Sequence, residues 1–367
     1  MGEKNELNHK KKRMSVSQMI VMDLLLLAAS MGVFMLFDYV LPQKSSNQGT
    51  VIADVSDSKD NSFTLPEESS EETKEETTEE TTEETTEEST RSRRKGGDRS
   101  GNTNTTDIAS DSTDAENISS SQVKTNSFET YTNENVQLTI SQKETGSGSD
   151  KITYYVADIY VTNIKYLQTA FAEGTYGKNI KDTVLNIGNE NNAVFAVSGD
   201  FYGNSEEGVV IRNGILYRLD INDADICVLF TDGTMKTYSP EDFDGEEVIA
   251  EGAWQAWNFG PSLLDGSGGI LGSFNTNSYL NSSNPRCAIG YVEPGHYILV
   301  VVDGRNEGYS KGVTLSELAQ IMSGEGCVLA YNLDGGKSAA MVYQGEYVNQ
   351  PADGGREVSD IILIGGE

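Results

Sequence analysis

The chain has 367 residues, a formal net charge of −30, two histidines and three cysteines. His9 lies in a basic N-terminal stretch, which leaves His296 for a folded domain. A multi-histidine zinc site or a His-x-x-x-His zinc helix is excluded, and a Ser-His-Asp triad would have to run through His296 alone. Cys227, Cys287 and Cys327 are too few for a disulfide framework or a four-cysteine metal site. The acidity argues against nucleic acid as a partner.

Residues 1–18 form a basic flank with Lys4, Lys10, Lys11, Lys12 and Arg13. Residues 19–40 are apolar apart from Asp23 and Asp38, each near one end. About 20 apolar residues span a bilayer, and charges cost less near the ends than at the centre. The run exceeds the 7–15 residues usual in a cleaved signal peptide. With the basic flank held inside, the expectation is a single-pass anchor in the cell membrane, with the C-terminal bulk extracytoplasmic.

Residues 41–127 predict a disordered linker. From Glu71 to Thr90 the sequence repeats every four residues, EETKEETTEETTEETTEEST. Between Ser45 and Ser127, 20 acidic residues face eight basic ones, a net of −12. Low hydrophobicity and high charge cannot build a core. The segment reads as a spacer, and the basic island of Arg91, Arg93, Arg94 and Lys95 as solvated linker.

Residues 128–367 predict one α+β domain, β-rich with a mixed sheet and two to three helices. It holds 33 acidic and 13 basic residues, a net of −20. Strands are expected over 137–142, 152–161 and 193–197, and helices over 163–172 and 179–187. Asn213-Gly214 and Asp232-Gly233 mark hairpins between 209–212 and 215–218, and between 226–230 and 235–238. Pro294-Gly295 joins 288–293 to 297–302. Thr314 and Glu317 form a capping box for a helix to Met322. Strands over 328–333, 339–343 and 361–364 close the chain. Trp254, Trp257, Cys287 and Cys327 read as buried, and His296 as exposed and inert.

Four segments place charged or amide groups beside glycine at a strand end: Ser198 to Tyr202, Pro285 to Gly290, Asp303-Gly304-Arg305, and Asn332 to Ser338. Rigid strand ends are common seats for sites. Carboxylates act as nucleophile, base or acid at an anomeric carbon, and arginine forks match phosphate oxygens. Each segment also has a plainer reading as a turn. The aspartates suit Ca²⁺ as oxygen ligands, although no cofactor is required and the identity of any metal stays open.

In their order, these segments resemble the phosphodiester glycosidase family. Further landmarks are Phe259-Gly260-Pro261-Ser262-Leu263, Gly312-Val313-Thr314-Leu315, Asn349 with Pro351, and Arg356. Ser198 stands where the family usually has asparagine, Lys337 where it often has a small residue, and Ala339-Ala340 where it usually has hydroxyls. The resemblance covers about 154–364. It implies hydrolysis of a sugar-1-phosphodiester such as a GlcNAc-1-phosphodiester, in a cell-wall or exopolysaccharide polymer. It implies Asp200, Asp303 and Asp334 as catalytic carboxylates. Arg286 and Arg305 would hold the phosphate, with Gly335 and Gly336 amides, and Asn332, Ser338 and Asn349 would contact the sugar. The alternatives are a non-catalytic module binding anionic glycan, favoured by Ala339 and Ala340, and a phosphodiesterase cutting P–O.

Overall fold

The computed structural model describes residues 15–55, 62–66 and 123–365. Its first element is α1 (Val16–Tyr39), 24 residues long and apolar enough to cross a membrane. Ser15 caps it: the Gln18 amide donates to Ser15 Oγ, and Ser15 N donates to Gln18 Oε1. At ~1.5 Å per residue α1 is about 36 Å long, against a hydrocarbon core of about 30 Å.

The expected linker begins too early. Gln43–Lys44 (β1) pairs with Gly177–Lys178, and Thr50–Val51 (β2) pairs with Ile215 and Leu216. Val55 is buried in the central core, and Phe63 packs against that core while its amide donates to Thr162 O at 2.8 Å. Open strand edges accept any extended backbone, so two apolar anchors hold a segment whose average composition is polar. The linker's far end is also shorter than expected, because a strand starts at Lys124. The Thr/Glu repeat lies outside the described residues.

The domain proper begins with a meander of β3 (Lys124–Thr132), β4 (Val136–Thr145) and β5 (Ile152–Val161). The helix expected over 163–172 does not form. Asn163 caps one short turn, and β6 (Leu167–Phe171) follows with alternating burial. Long-range pairing with the last strand overrides local propensity there. After β7 (Gly177–Lys178), α2 (Val184–Glu190) starts later than expected, because Asn179 has φ +58° and Thr183 supplies the cap. Next come β8 (Ala193–Ser198), β9 (Gly208–Arg212) and β10 (Ile215–Asp220). Asn213 and Gly214 both have positive φ, as the two-residue hairpin requires.

The chain continues through β11 (Ile226–Phe230), β12 (Met235–Tyr238), α3 (Gly245–Ala250), β13 (Ala253–Trp257), the single turn α4 (Ser278–Asn281), β14 (Arg286–Glu293) and β15 (His296–Val302). It ends with α5 (Leu315–Gly324), whose Thr314–Glu317 capping box forms as expected, β16 (Leu329–Leu333), β17 (Met341–Tyr343), β18 (Glu346–Tyr347) and β19 (Asp360–Gly365).

Besides the two-stranded pair β1-β7, the described strands form three larger sheets, in the orders β12-β11-β13-β9-β10-β2, β16-β14-β15-β5-β4-β3 and β18-β17-β8-β19-β6. The mixed sheet of the sequence reading resolves into antiparallel pairing throughout the named strands. One face of each sheet contributes to a shared core that includes Leu138, Phe195, Trp257 and Leu333. The outer faces are covered by α5 with Leu263 and Leu264, by α2, and by α3. Trp254, Trp257 and all three cysteines are buried, and the cysteines are free thiols. His296 is not inert in contact: it pairs with Asp158 at 2.7 Å and stacks on Tyr160 at 3.9 Å.

Candidate active site

The four polar segments meet at one end of the fold. The pairings Cys287↔Leu333 and Arg286↔Val302 bring the start of β14 beside the ends of β15 and β16. The end of β8 joins them from another sheet: the Asp334 amide donates to Gly199 O at 3.1 Å, and Ser198 Oγ donates to Asp334 O at 3.0 Å. Asp334 is thereby fixed by backbone bonds at a junction of two sheets. Gly304 and Gly335 permit the approach, since a Cβ at either would lie within 2.9 Å of neighbouring backbone.

A cavity of about 470 Å³ opens at this junction, within the usual range for small-ligand sites. Asp334, Arg286, Arg305, Lys337 and Arg356 supply its charges, and Phe201, Phe259 and Leu280 its apolar wall. Asp334 is buried, and burial pushes its carboxyl up to about 6 against the pull of the Arg356 guanidinium. Arg356 Nη2 donates to both Asp334 oxygens at 3.1 Å and to Ser338 Oγ at 2.6 Å, and its guanidinium lies 5.4 Å from the Phe201 ring centre. Phe201 and Phe259 meet edge to face at 6.4 Å.

Arg286 is buried and gives three N–H donors to backbone: Nε to Val313 O, and Nη2 to Leu280 O and Ser282 O. These bonds also hold Leu280 on the cavity wall. Burial and the charge of Arg305 push Arg286 down to about 10, so it still carries its proton at neutral pH. Arg305 adopts φ +58° and donates to Asn284 Oδ1 at 2.8 Å. Among the described residues neither arginine makes an ion pair, whereas Arg356 pairs with Asp334 and Lys337 with Asp353. Two arginines without an ion pair among the described residues thus face one cavity in a domain of net −20.

Gly335 and Gly336 also line the cavity, and the remaining sequence candidates lie behind this surface. Asp200 does not line the cavity. Its oxygens accept from Phe201 N at 2.6 Å, Asn258 N at 2.8 Å and buried Arg212 at 3.4 Å. Arg212 also binds Asp360 at 2.7 Å, and Asp360 accepts from the Asp200 amide. Asp303 accepts from Asn349 Nδ2 at 2.7 Å, Tyr309 OH at 2.9 Å and Gln350 N at 3.0 Å. Burial raises its carboxyl, opposed by those bonds. Asn349 is a buried clamp that also receives the Met341 amide. Asn332 Nδ2 donates to Gly260 O, and its Oδ1 is buried without a hydrogen-bond partner. Ser338 orients Arg356, and the Gly336 amide is taken by Pro285 O. Ala339 and Ala340 are buried in the cores, so their missing hydroxyls fall away from the cavity. Among the described residues no group of three His, Cys, Asp or Glu could hold a metal ion, and the three candidate aspartates, each satisfied by its own partners, do not fit a Ca²⁺ site.

Sequence reasoning left out Arg356, Phe201, Phe259 and Leu280 as site residues. Arg356 and Phe259 stood among the ordered landmarks, and Phe201 adjoins Asp200. Leu280 carried no signal, because a backbone-to-arginine contact places it.

Residues 191–365 match the model of the phosphodiester glycosidase family. A prophage-derived uncharacterized protein of Bacillus subtilis is 33% identical over 196 residues, covering 52% of this chain and 30% of the relative. Bovine N-acetylglucosamine-1-phosphodiester alpha-N-acetylglucosaminidase is 38% identical over 82 residues, covering 22% and 15%. The chain spans less than a third of the length of these curated relatives. In fold it is similar to the catalytic domain of the zebrafish N-acetylglucosamine-1-phosphodiester alpha-N-acetylglucosaminidase, auto-inhibited by its pro-peptide. That likeness has a TM-score of 0.52 and 19% identity, over 67% of this chain and 89% of that one. A Synechocystis protein gives a TM-score of 0.50 at 16% identity, over 65% and 63%. Residues 191–365 are therefore a domain of the phosphodiester glycosidase family.

Proposed function

We propose that the chain is a membrane-anchored, extracytoplasmic glycosidase that hydrolyses a sugar-1-phosphodiester, with cell-wall or exopolysaccharide glycans as the natural setting. The carrying observation is the pair of arginines, Arg286 and Arg305, that line one cavity with the carboxylate Asp334 and make no ion pair among the described residues. A phosphodiester brings one negative charge and two free oxygens, which suits that pair. Asp334 acts at the anomeric carbon, as nucleophile or as the base that activates water. The C1–O bond breaks and its electron pair leaves with the phosphate. Water's oxygen ends on C1 with one of its protons, and the other proton is released. A phosphate monoester is a good leaving group, so the second carboxylic acid usual in glycosidases is dispensable, and so is a histidine. Asp200 and Asp303 are positioning residues: the first fixes the Phe201 backbone, the second the loop around Arg305 through Asn349, Gln350 and Tyr309.

The anchor is α1. It joins the domain almost directly, since Lys178 Nζ binds Asp38 at 2.7 Å and only 40–42 separate α1 from β1. Phe63 and Lys124, on either side of the acidic repeat in sequence, both belong to the domain, so the anchor-to-domain spacing is not assigned to the repeat. Hydrolysis of α-GlcNAc-1-phosphoglycerol in ¹⁸O water tests the reaction. Label on the sugar supports the glycosidase. Label on the phosphate identifies a phosphodiesterase, and no turnover supports the binding module.

A further inference from the structure

A short path of hydrogen bonds links the cavity wall to the end of α1. Asn179 Nδ2 donates to Asp38 O at 3.0 Å and to Leu41 O at 3.3 Å, holding the helix end. The backbone amide of the same residue donates to Gly203 O at 2.9 Å, in the turn that follows Phe201. Phe201 is the cavity's exposed aromatic, 37% accessible. From α1 to that wall the path is one side chain, two hydrogen bonds and two residues. At ~3.6 Å per residue and ~3 Å per hydrogen bond this is no more than about 20 Å. Lys181, on the same loop, reaches Asn204 in that turn. Tyr39, at the end of α1, is exposed, as expected for an aromatic at a bilayer interface.

The cavity also has an apolar wall, with Phe201, Phe259 and Leu280 lining it beside the arginines. A sugar and a phosphate satisfy the polar side, whereas a wall of two phenyl rings and a leucine gains most by covering an alkyl chain. With α1 in a bilayer, this wall opens close to the lipid surface.

We infer that the preferred substrate is a sugar-1-phosphate esterified to a long-chain alcohol embedded in the membrane. This rests on the hydrolase reading above. The arginines take the phosphate, the sugar C1 meets Asp334, and the first carbons of the alcohol lie on Phe201, Phe259 and Leu280. The products are free sugar and a lipid phosphate monoester that stays in the bilayer.

The test uses the full chain reconstituted in phosphatidylglycerol–phosphatidylethanolamine vesicles. It compares α-GlcNAc-1-phosphodecaprenol in the bilayer with soluble α-GlcNAc-1-phosphoglycerol. The lipid diester should be cleaved at least ten-fold more efficiently. Asn179→Gly keeps the positive φ and removes both bonds to the helix end. It should lower turnover of the lipid diester about ten-fold and leave the soluble substrate within two-fold. Equal efficiency on the two substrates, or an Asn179→Gly effect of the same size on both, overturns the lipid assignment while the hydrolase reading stands. Cleavage of neither substrate overturns the hydrolase reading itself.

Discussion

Asp334 and Asp200 lie at neighbouring strand ends and share a sequence context, an aspartate at the end of a buried strand beside glycine. Their surroundings differ. Asp334 faces a cavity, with an exposed arginine straddling its oxygens. Asp200 is enclosed, with two backbone amides and Arg212 taking its oxygens. The first arrangement leaves a carboxylate able to meet a substrate, and the second uses one up in holding the fold. Strand-end aspartates are thus not interchangeable candidates, and their hydrogen-bond partners sort them.

Breaking each side of that comparison gives different losses. Asp334→Asn should lower kcat by about 10³-fold or more, near the upper range for removing a group active in proton transfer or attack, with little change in thermal stability. Asp200→Ala leaves Arg212 partly unpaired in the interior, which costs about 3–5 kcal/mol. Its melting temperature should fall by roughly 10 °C by calorimetry. If Asp200→Ala melts like the parent and loses turnover as Asp334→Asn does, the division is wrong. Arg305→Ala removes a charge-assisted contact of about 1.5–3 kcal/mol, so KM for a phosphodiester should rise ten- to a hundred-fold.

Asp303→Asn should act more mildly. It keeps the shape but strands one of the donors now shared among Asn349, Gln350 and Tyr309, at a cost of about 1–3 kcal/mol. A modest fall in melting temperature with a partial loss of activity fits a positioning role. A loss equal to that of Asp334→Asn contradicts it.

The pH profile sharpens the same contrast. As nucleophile or base, Asp334 works ionised, and its folded-state value is about 6. Activity should therefore climb through pH 6 and level off above 7. A limb falling through pH 6 would make Asp334 a proton donor. For stability the sign is opposite: the folded state holds this proton more tightly than the unfolded chain. The stabilising contribution is full below the ordinary value of 3.8 and is lost as pH rises through 6.

Strand-by-strand, much of the fold was legible because hairpin turns announce themselves: Asn213, Gly214 and Gly233 needed positive φ, and both turns sit where expected. The segment 163–172 misled because Leu167 to Phe171 has no local strand signature that outweighs a helical spacing, and its partner lies at the far end of the chain. The packing of 43–55 and 62–66 was hidden by composition, since Val55 and Phe63 are two anchors in a polar stretch. The ordered motifs meet at one end of the molecule. They could not say which side of each strand end would face solvent, and that decides between Asp334 and Asp200.

The most direct measurement is the turnover of folded Asp334→Asn on α-GlcNAc-1-phosphoglycerol, set against the parent with melting temperature as the control for folding. A loss of about 10³-fold at an unchanged melting temperature is the predicted result. Activity within ten-fold of the parent would show that the carboxylate in the cavity is not the group that acts on the sugar.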